Sequence, residues 1–310
     1  MSAFAVAPPA PTPSSEPLAA TDAPAPDPVF EVLRPAVQTL PLVIASPHSG
    51  NLYPPEFVAA SRLDPLALRR SEDSFVDELF GAAPAMGAPL LRALFPRAYV
   101  DPNREPWELD PAMFEDALPA FANTRSARVA AGLGTVARVV ANGAEIYRGK
   151  LSFADARDRI ERCYRPYHAA LAELIEDTRR QFGWCLLIDG HSMPSIGGPM
   201  ERDAGVPRVD FVLGDCFGAA CDPRIIDTAD RCLRSFGYLV TRNDPYAGGF
   251  TTRHYGRPAE RVHALQIEIN RALYMDEGRY ARSSGFPAVL GHLTRLIDRV
   301  GRLEIGGKQA

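Results

Sequence analysis

Two short, uninterrupted apolar runs limit what this chain can fold into more than any other feature: Leu40–Ala45 (LPLVIA) and Trp184–Ile188 (WCLLI). A run of this length has no polar face to turn toward water, so it reads as a strand buried on both faces of a sheet. Strands of that kind need a layer of helices on each side. Tyr238–Thr241 (YLVT) is a shorter run of the same type. His263–Ile269 (HALQIEI) alternates instead: Leu265, Ile267 and Ile269 fall on one side, and Gln266, Glu268 and the following Asn270 on the other. Such a strand lies at a sheet surface or lines a site.

Between the runs, Asp73–Gly81, Ala127–Asn142 and Ser152–Phe182 carry apolar residues at helical spacing, and a C-terminal helix is expected over roughly Pro287–Val300. Pro166 predicts a break or kink in the third of these. Strands alternating with helices indicate the α/β class, with a mixed, largely parallel central sheet flanked by helices. Residues 1–28 are dominated by Ala, Pro, Ser and Thr. They cannot bury enough apolar surface to offset their ordering entropy and are expected to form a disordered tail. Residues 29–305 are expected to form a single α/β domain, and 306–310 a flexible C-terminus.

The net charge of -4 is spread over mixed signs, without the basic block that nucleic-acid binding requires. No apolar run approaches the ~20 residues that span a bilayer, and the N-terminus lacks the pattern of a signal peptide. These readings predict a cytoplasmic protein with neither nucleic acid nor membrane as partner. Lys150 and Lys308 are the only lysines. Nearly all positive charge is therefore arginine, whose planar fork suits carboxylates. The five cysteines lack CxxC spacing and read as reduced thiols. Neither a phosphate loop nor a GxGxxG fingerprint occurs.

In α/β sheets ligands bind beyond the carboxyl ends of the strands. There the first run leads into Ser46-Pro47-His48-Ser49-Gly50 and the second into Asp189-Gly190-His191-Ser192. Two histidines in matched positions suggest a metal, since neutral imidazole is the commonest zinc ligand. A catalytic zinc site often adds a carboxylate, for which Glu72 and Asp73 are the candidates. The same pair would also suit a helix N-terminus. It is too far from His48 for a one-turn ligand pair, so the fold must bring them together. Glu268 is the candidate general base. The pairs Asn103-Arg104 and Asn270-Arg271 could clamp a substrate carboxylate or an oxyanion, or form structural salt bridges. The long loop Asn243–Gly256 (NDPYAGGFTTRHYG) contains Gly248-Gly249, where backbone could approach a ligand, and His254. Ser49 and Ser192 flank the histidines, but no GxSxG elbow supports a serine nucleophile.

Together these segments resemble the N-formylglutamate amidohydrolase family. The matching stretches are PHSG (47–50), EDSFVDELF (72–80), VDPNRE (100–105), DGHSMPS (189–195), DFVLGD (210–215), NDPYAGGFTTRHYG (243–256) and QIEINRALYMDE (266–277). The resemblance implies a phosphorylase/hydrolase-like fold, similar to the zinc carboxypeptidases. It implies one Zn2+ ion, or another divalent transition metal, and hydrolysis of N-formyl-L-glutamate to formate and L-glutamate in histidine degradation. Carried over by position, His48 and His191 look like metal ligands and Glu268 like the catalytic carboxylate. Asp73 is the third ligand and Glu72 the reserve, because Ser71 stands where the family often has a further Asp. Arg104 is expected to act in catalysis, with Asn103, Arg253, Arg271, Asn270, Tyr246 and His254 binding substrate. The implied partner is a small N-acyl amino acid, and the implied assembly a monomer or small homo-oligomer. Two alternatives stay open: a metal hydrolase of another N-acyl amino acid or short peptide, and a metal- or ligand-binding relative without catalysis.

Overall fold

Both apolar runs become neighbouring central strands. The computed structural model of the protein describes residues 28–199 and 201–305. The expected tail (1–28, apart from Pro28) and C-terminal segment (306–310) lie outside the described residues. The strands of the main sheet are β1 (Phe30–Leu33), β2 (Leu42–Ser46), β3 (Leu90–Ala93), β4 (Cys185–Met193), β5 (Phe211–Gly214), β6 (Val240–Arg242) and β7 (Val262–Asn270). They form one sheet in the order β1-β3-β2-β4-β7-β5-β6. The pairs β2/β3, β2/β4, β4/β7 and β5/β6 are parallel, whereas β1/β3 and β5/β7 are antiparallel. The sheet is thus mixed and largely parallel, as expected.

The two-residue period of a strand sorts its side chains onto two cores. Leu42, Ile44, Leu186, Ile188, Leu265, Ile267 and Ile269 pack on one face against the helices Pro223–Ser235 and Phe286–Gly301. Val43, Ala45, Cys185, Leu187 and Ala264 pack on the other against Tyr167, Leu171, Leu174 and Ile175 of the helix Arg165–Phe182. On this second face β4 continues into Asp189 and His191, and β7 into Gln266 and Glu268. One sheet face is therefore apolar under the helix and polar toward the carboxyl ends. There the long excursion between β3 and the helix Phe153–Arg159 covers it.

Four expectations need correction. The helix expected over Ala127–Asn142 stops at Ala127–Ala130. Gly132 adopts φ +75°, and a Cβ on Gly134 would lie 2.2 Å from the Glu108 carbonyl oxygen, so the chain turns to cover the site. The helix expected over Asp73–Gly81 shrinks to Val76–Leu79, and neither Glu72 nor Asp73 caps it. Pro166 does not break the long helix, because the turn before it widens into a π-helix over Ile160–Tyr164. The strand Trp184–Ile188 extends to Met193, which places His191 inside β4 rather than beyond it. Strands β1, β3 and β5 were not anticipated, since four-residue strands carry too little periodicity to register.

Between the two polar residues of β4, Gly190 faces the opposite core, where an added Cβ would stand 2.6 Å from the buried ring of Phe80. Gly190→Ala should therefore destabilise the protein by about 1–3 kcal/mol through overpacking, read as a lower urea midpoint. An unchanged midpoint would show that Phe80 can retreat without cost.

Candidate active site

Three chain segments deliver three lone-pair donors to one point. His48 follows β2, His191 lies in β4, and Asp73 follows a 3-10 turn and is tied to His48 by its backbone N–H donating to the His48 carbonyl (3.0 Å). The distances are 3.1 Å between His191 Nδ1 and His48 Nδ1, 3.1 Å between His191 Nδ1 and Asp73 Oδ2, and 3.3 Å between His48 Nδ1 and Asp73 Oδ2. All three residues are buried. Ligands about 2.0–2.1 Å from a tetrahedral ion stand about 3.3–3.4 Å from each other. The triangle has the size of one face of such a tetrahedron.

The outer partners fix which nitrogen faces inward. His48 Nε2 lies 2.7 Å from Asp101 Oδ1, and His191 Nε2 lies 3.0 Å from Asp189 Oδ1. An ionised carboxylate can only accept, so each Nε2 carries the proton and each Nδ1 presents its lone pair to the centre. Three acceptors facing one another within 3.3 Å repel unless a cation stands between them, so the donor set fits a metal ion. Toward a proton the pocket behaves likewise: burial opposes charge on His191, but Asp189, Asp73 and Glu268 raise it well above the ordinary imidazole value. Burial also opposes charge on Asp73, yet bonds to His191 and His48 hold its carboxyl well below the usual range. Asp101 is likewise held low against burial, by Arg104, Arg97 and His48.

Glu268 stands directly across from His191 in the β4/β7 register. Burial raises it to about 7, with His191 opposing the shift and Asp73 adding to it. The Gln266 amide donates to its Oε1 at 2.9 Å. The site opens into a cavity of about 330 Å³ whose lining includes Arg97, Arg104, Arg128, Gly198 and Tyr246.

Of the residues anticipated from sequence, His48, Asp73, His191, Glu268, Asn103, Arg104, Tyr246 and Arg271 line this cavity. Glu72 does not join the cluster: Arg69 (2.8 Å), Ser74 and Tyr53 hold its carboxylate. Arg271 donates to Asp73 Oδ1 (3.1 Å) and Ser192 Oγ (3.1 Å), so it orients the Asp73 carboxylate rather than standing free. Asn270 uses its amide on the carbonyls of Arg208 and Val209 and is not among the lining residues. Arg253 and His254 are exposed and also outside the lining, Arg253 donating to the Gly248 carbonyl and His254 stacking on Phe250. Gly249 serves a close approach: a Cβ there would stand 2.3 Å from the Asn103 carboxamide, which itself accepts from the Thr251 N–H. Neither flanking serine is a nucleophile of the serine–histidine kind. Ser49 bonds Ser46 and the Asp73 carbonyl, and Ser192 bonds Asp73 and Arg271.

Sequence reasoning missed Asp101, Asp189, Arg97 and Arg128. Asp189 was within reach, since it precedes His191 by two residues and so shares its strand face. Asp101 and Arg97 sit in an irregular excursion without periodicity, and Arg128 was absorbed into the overlong helix.

The family pattern of N-formylglutamate amidohydrolase matches residues 40–275. An N-formylglutamate deformylase of Pseudomonas aeruginosa is 32% identical over 263 residues, covering 84% of this chain and 90% of that protein. One from Pseudomonas putida is 32% identical over 241 residues, covering 77% and 83%. The crystal structure of N-formylglutamate amidohydrolase from Ralstonia eutropha JMP134 superposes with a TM-score of 0.79 at 41% identity, covering 88% of this chain and 96% of that one. Across nearly all of its described length, the chain belongs to the N-formylglutamate amidohydrolase family.

Proposed function

We propose that this protein is a zinc-dependent amidohydrolase that cleaves N-formyl-L-glutamate to formate and L-glutamate. We place it in the cytoplasm, in histidine degradation, with residues 29–305 as one catalytic domain. The observation that carries the reading is the inward-facing triangle of His48 Nδ1, Asp73 Oδ2 and His191 Nδ1 beside a buried Glu268. Names of relatives supply the substrate; the donor geometry supplies the chemistry. No helix among the described residues is long and apolar enough to cross a membrane.

Zinc held by His48, Asp73 and His191 would supply Lewis acidity, polarising the formyl oxygen and lowering the pKa of a water toward ~7. Glu268 accepts the proton of the attacking water and returns it to the departing glutamate nitrogen. Its burial keeps its basicity above that of a solvated carboxylate, so it can serve both steps near neutrality. Asp101 and Asp189 hold the two imidazoles in register. Arg97 and Arg104 face the cavity near Asp101 and offer positive charge to the carboxylates of the substrate or its developing oxyanion.

Purified protein should release formate from N-formyl-L-glutamate, lose that activity to a zinc chelator and regain it with added zinc. Bound zinc without release from this substrate would move the search to other N-acyl amino acids. Glu268→Ala should keep zinc while turnover falls by about 10²–10⁴-fold; near-normal kcat in a zinc-loaded variant would remove it from the base role. Because a base must be ionised, kcat/KM should fall as pH drops through the Glu268 pKa, between the ordinary 4.5 and about 7. An acid limb unchanged in Glu268→Asp would assign that limb to another group. Asp101→Asn should weaken zinc binding about 10–100-fold, measured by competition with a chelating dye, and unchanged affinity would leave His48 without need of its partner.

A further inference from the structure

Four arginines line the cavity: Arg97, Arg104, Arg128 and Arg271. Three of them are already committed. Arg271 donates to Asp73 (3.1 Å) and Arg97 to Asp101 (2.8 Å). Arg104 lies 3.6 Å from Asp101 and donates to the carbonyls of Leu133 (2.9 Å) and Asn103 (2.8 Å). Arg128 has no hydrogen bond and no carboxylate within 4 Å among the described residues. It is half-buried, and its backbone is fixed. Ser126 caps its short helix, its carbonyl accepts from the Leu133 N–H (2.8 Å), and the Leu133 carbonyl in turn accepts from Arg104. A half-buried guanidinium on a pinned backbone, facing a cavity without a partner, is poised for an anion brought by a ligand.

Position along the cavity says which anion. Arg97 is one bond from Asp101, which bonds His48, so it stands beside the reacting centre. After Asp101, the carboxylates acting on it are Asp73 and Glu268. Arg128 makes no hydrogen bond or ion pair with any of these groups among the described residues; it shares the field of Asp101 with Arg97, but the other charges acting on it are Arg253, Glu108 and Arg97 rather than Asp73 or Glu268. In an N-formyl glutamate the α-carboxylate sits next to the carbon bearing the reacting nitrogen, and the γ-carboxylate lies two methylenes further out. The arginine near the centre suits the first and the more distant one the second. Building on the function proposed above, we infer that Arg128 reads the γ-carboxylate of the substrate and makes the enzyme selective for acidic N-formyl amino acids.

The test compares wild type with Arg128→Gln on three substrates: N-formyl-L-glutamate, its γ-amide N-formyl-L-glutamine, and its α-amide. Arg128→Gln should lose about 10²-fold in kcat/KM on the two substrates that keep the γ-carboxylate. The loss should lie mainly in KM, and it should be at least about tenfold smaller on the γ-amide, where no charge-assisted bond is forfeited. Arg128→Lys should recover part of the loss. Equal losses on all three substrates would mean a structural role, and a smaller loss on the α-amide would assign Arg128 to the other carboxylate; either result overturns the inference. If wild type releases formate from none of them, the proposed function fails by itself. Calorimetric binding of N-formyl-L-glutamate and N-formyl-L-glutamine to both proteins then decides the inference. It stands if wild type prefers the dianion and Arg128→Gln does not, and falls if the preference is absent or survives.

Discussion

Three electron-pair donors that repel one another are held within 3.3 Å, and most of the architecture serves to keep them there. Left alone, each imidazole would rotate and Asp73 would turn to solvent. Asp101 and Asp189 prevent the first, and Arg271 with Ser192 prevents the second. These restraints are themselves charged and buried, a situation that costs several kcal/mol per ion unless each charge is paired. Arg97 and Arg104 beside Asp101 supply that pairing, so the ring of arginine around the cavity begins as a consequence of the donor triangle.

The sheet makes the triangle affordable by reusing one face for two purposes. On β4 and β7 the same side of the sheet carries Cys185, Leu187 and Ala264 beneath the helix Arg165–Phe182, then Asp189, His191, Gln266 and Glu268 beyond its reach. The helix excludes water from the lower half, and the glycine-punctuated excursion covers the upper half without filling it. His168 links the two coverings: its Nε2 donates to the Pro102 carbonyl, and burial keeps its pKa near 4, hence the ring neutral. A rigid helix therefore anchors the loop that presents Asp101, Asn103 and Arg104.

The strand cores were legible because burial on both faces leaves an unbroken apolar signature, and His48, His191 and Glu268 could be placed from those strands alone. Asp73 could be named only as one of an acidic pair. The choice is made by the fold: the Asp73 N–H donates to the distant His48 carbonyl, while Arg69, Ser74 and Tyr53 hold the Glu72 carboxylate. The excursion from Leu94 to Leu151 was the least readable part. Its periodicity imitates a helix over Ala127–Asn142, while Gly132, at φ +75°, and Gly134, in tight approach to the Glu108 carbonyl, overrule it. Arg104 and Tyr246, named with the segments that carry them, line the cavity, whereas Arg253 and His254, on the helical turn Phe250–Tyr255, are exposed and outside its lining.

The cavity's arginines thus divide into two kinds, and the division has a physical basis. A guanidinium engaged with a buried carboxylate can offer a ligand only its remaining N–H groups, because giving up that carboxylate would strand it, which is the costly half of breaking a buried pair. Arg97 and Arg271 are bound by that constraint, and their loss would disturb the donor triangle before it altered recognition. Arg128 carries no such obligation. Changes there can retune which side chain the cavity accepts while the donor triangle stays intact. Within this fold, specificity and chemistry are separable because the arginine that meets the far end of the ligand is not one that holds the donors in place.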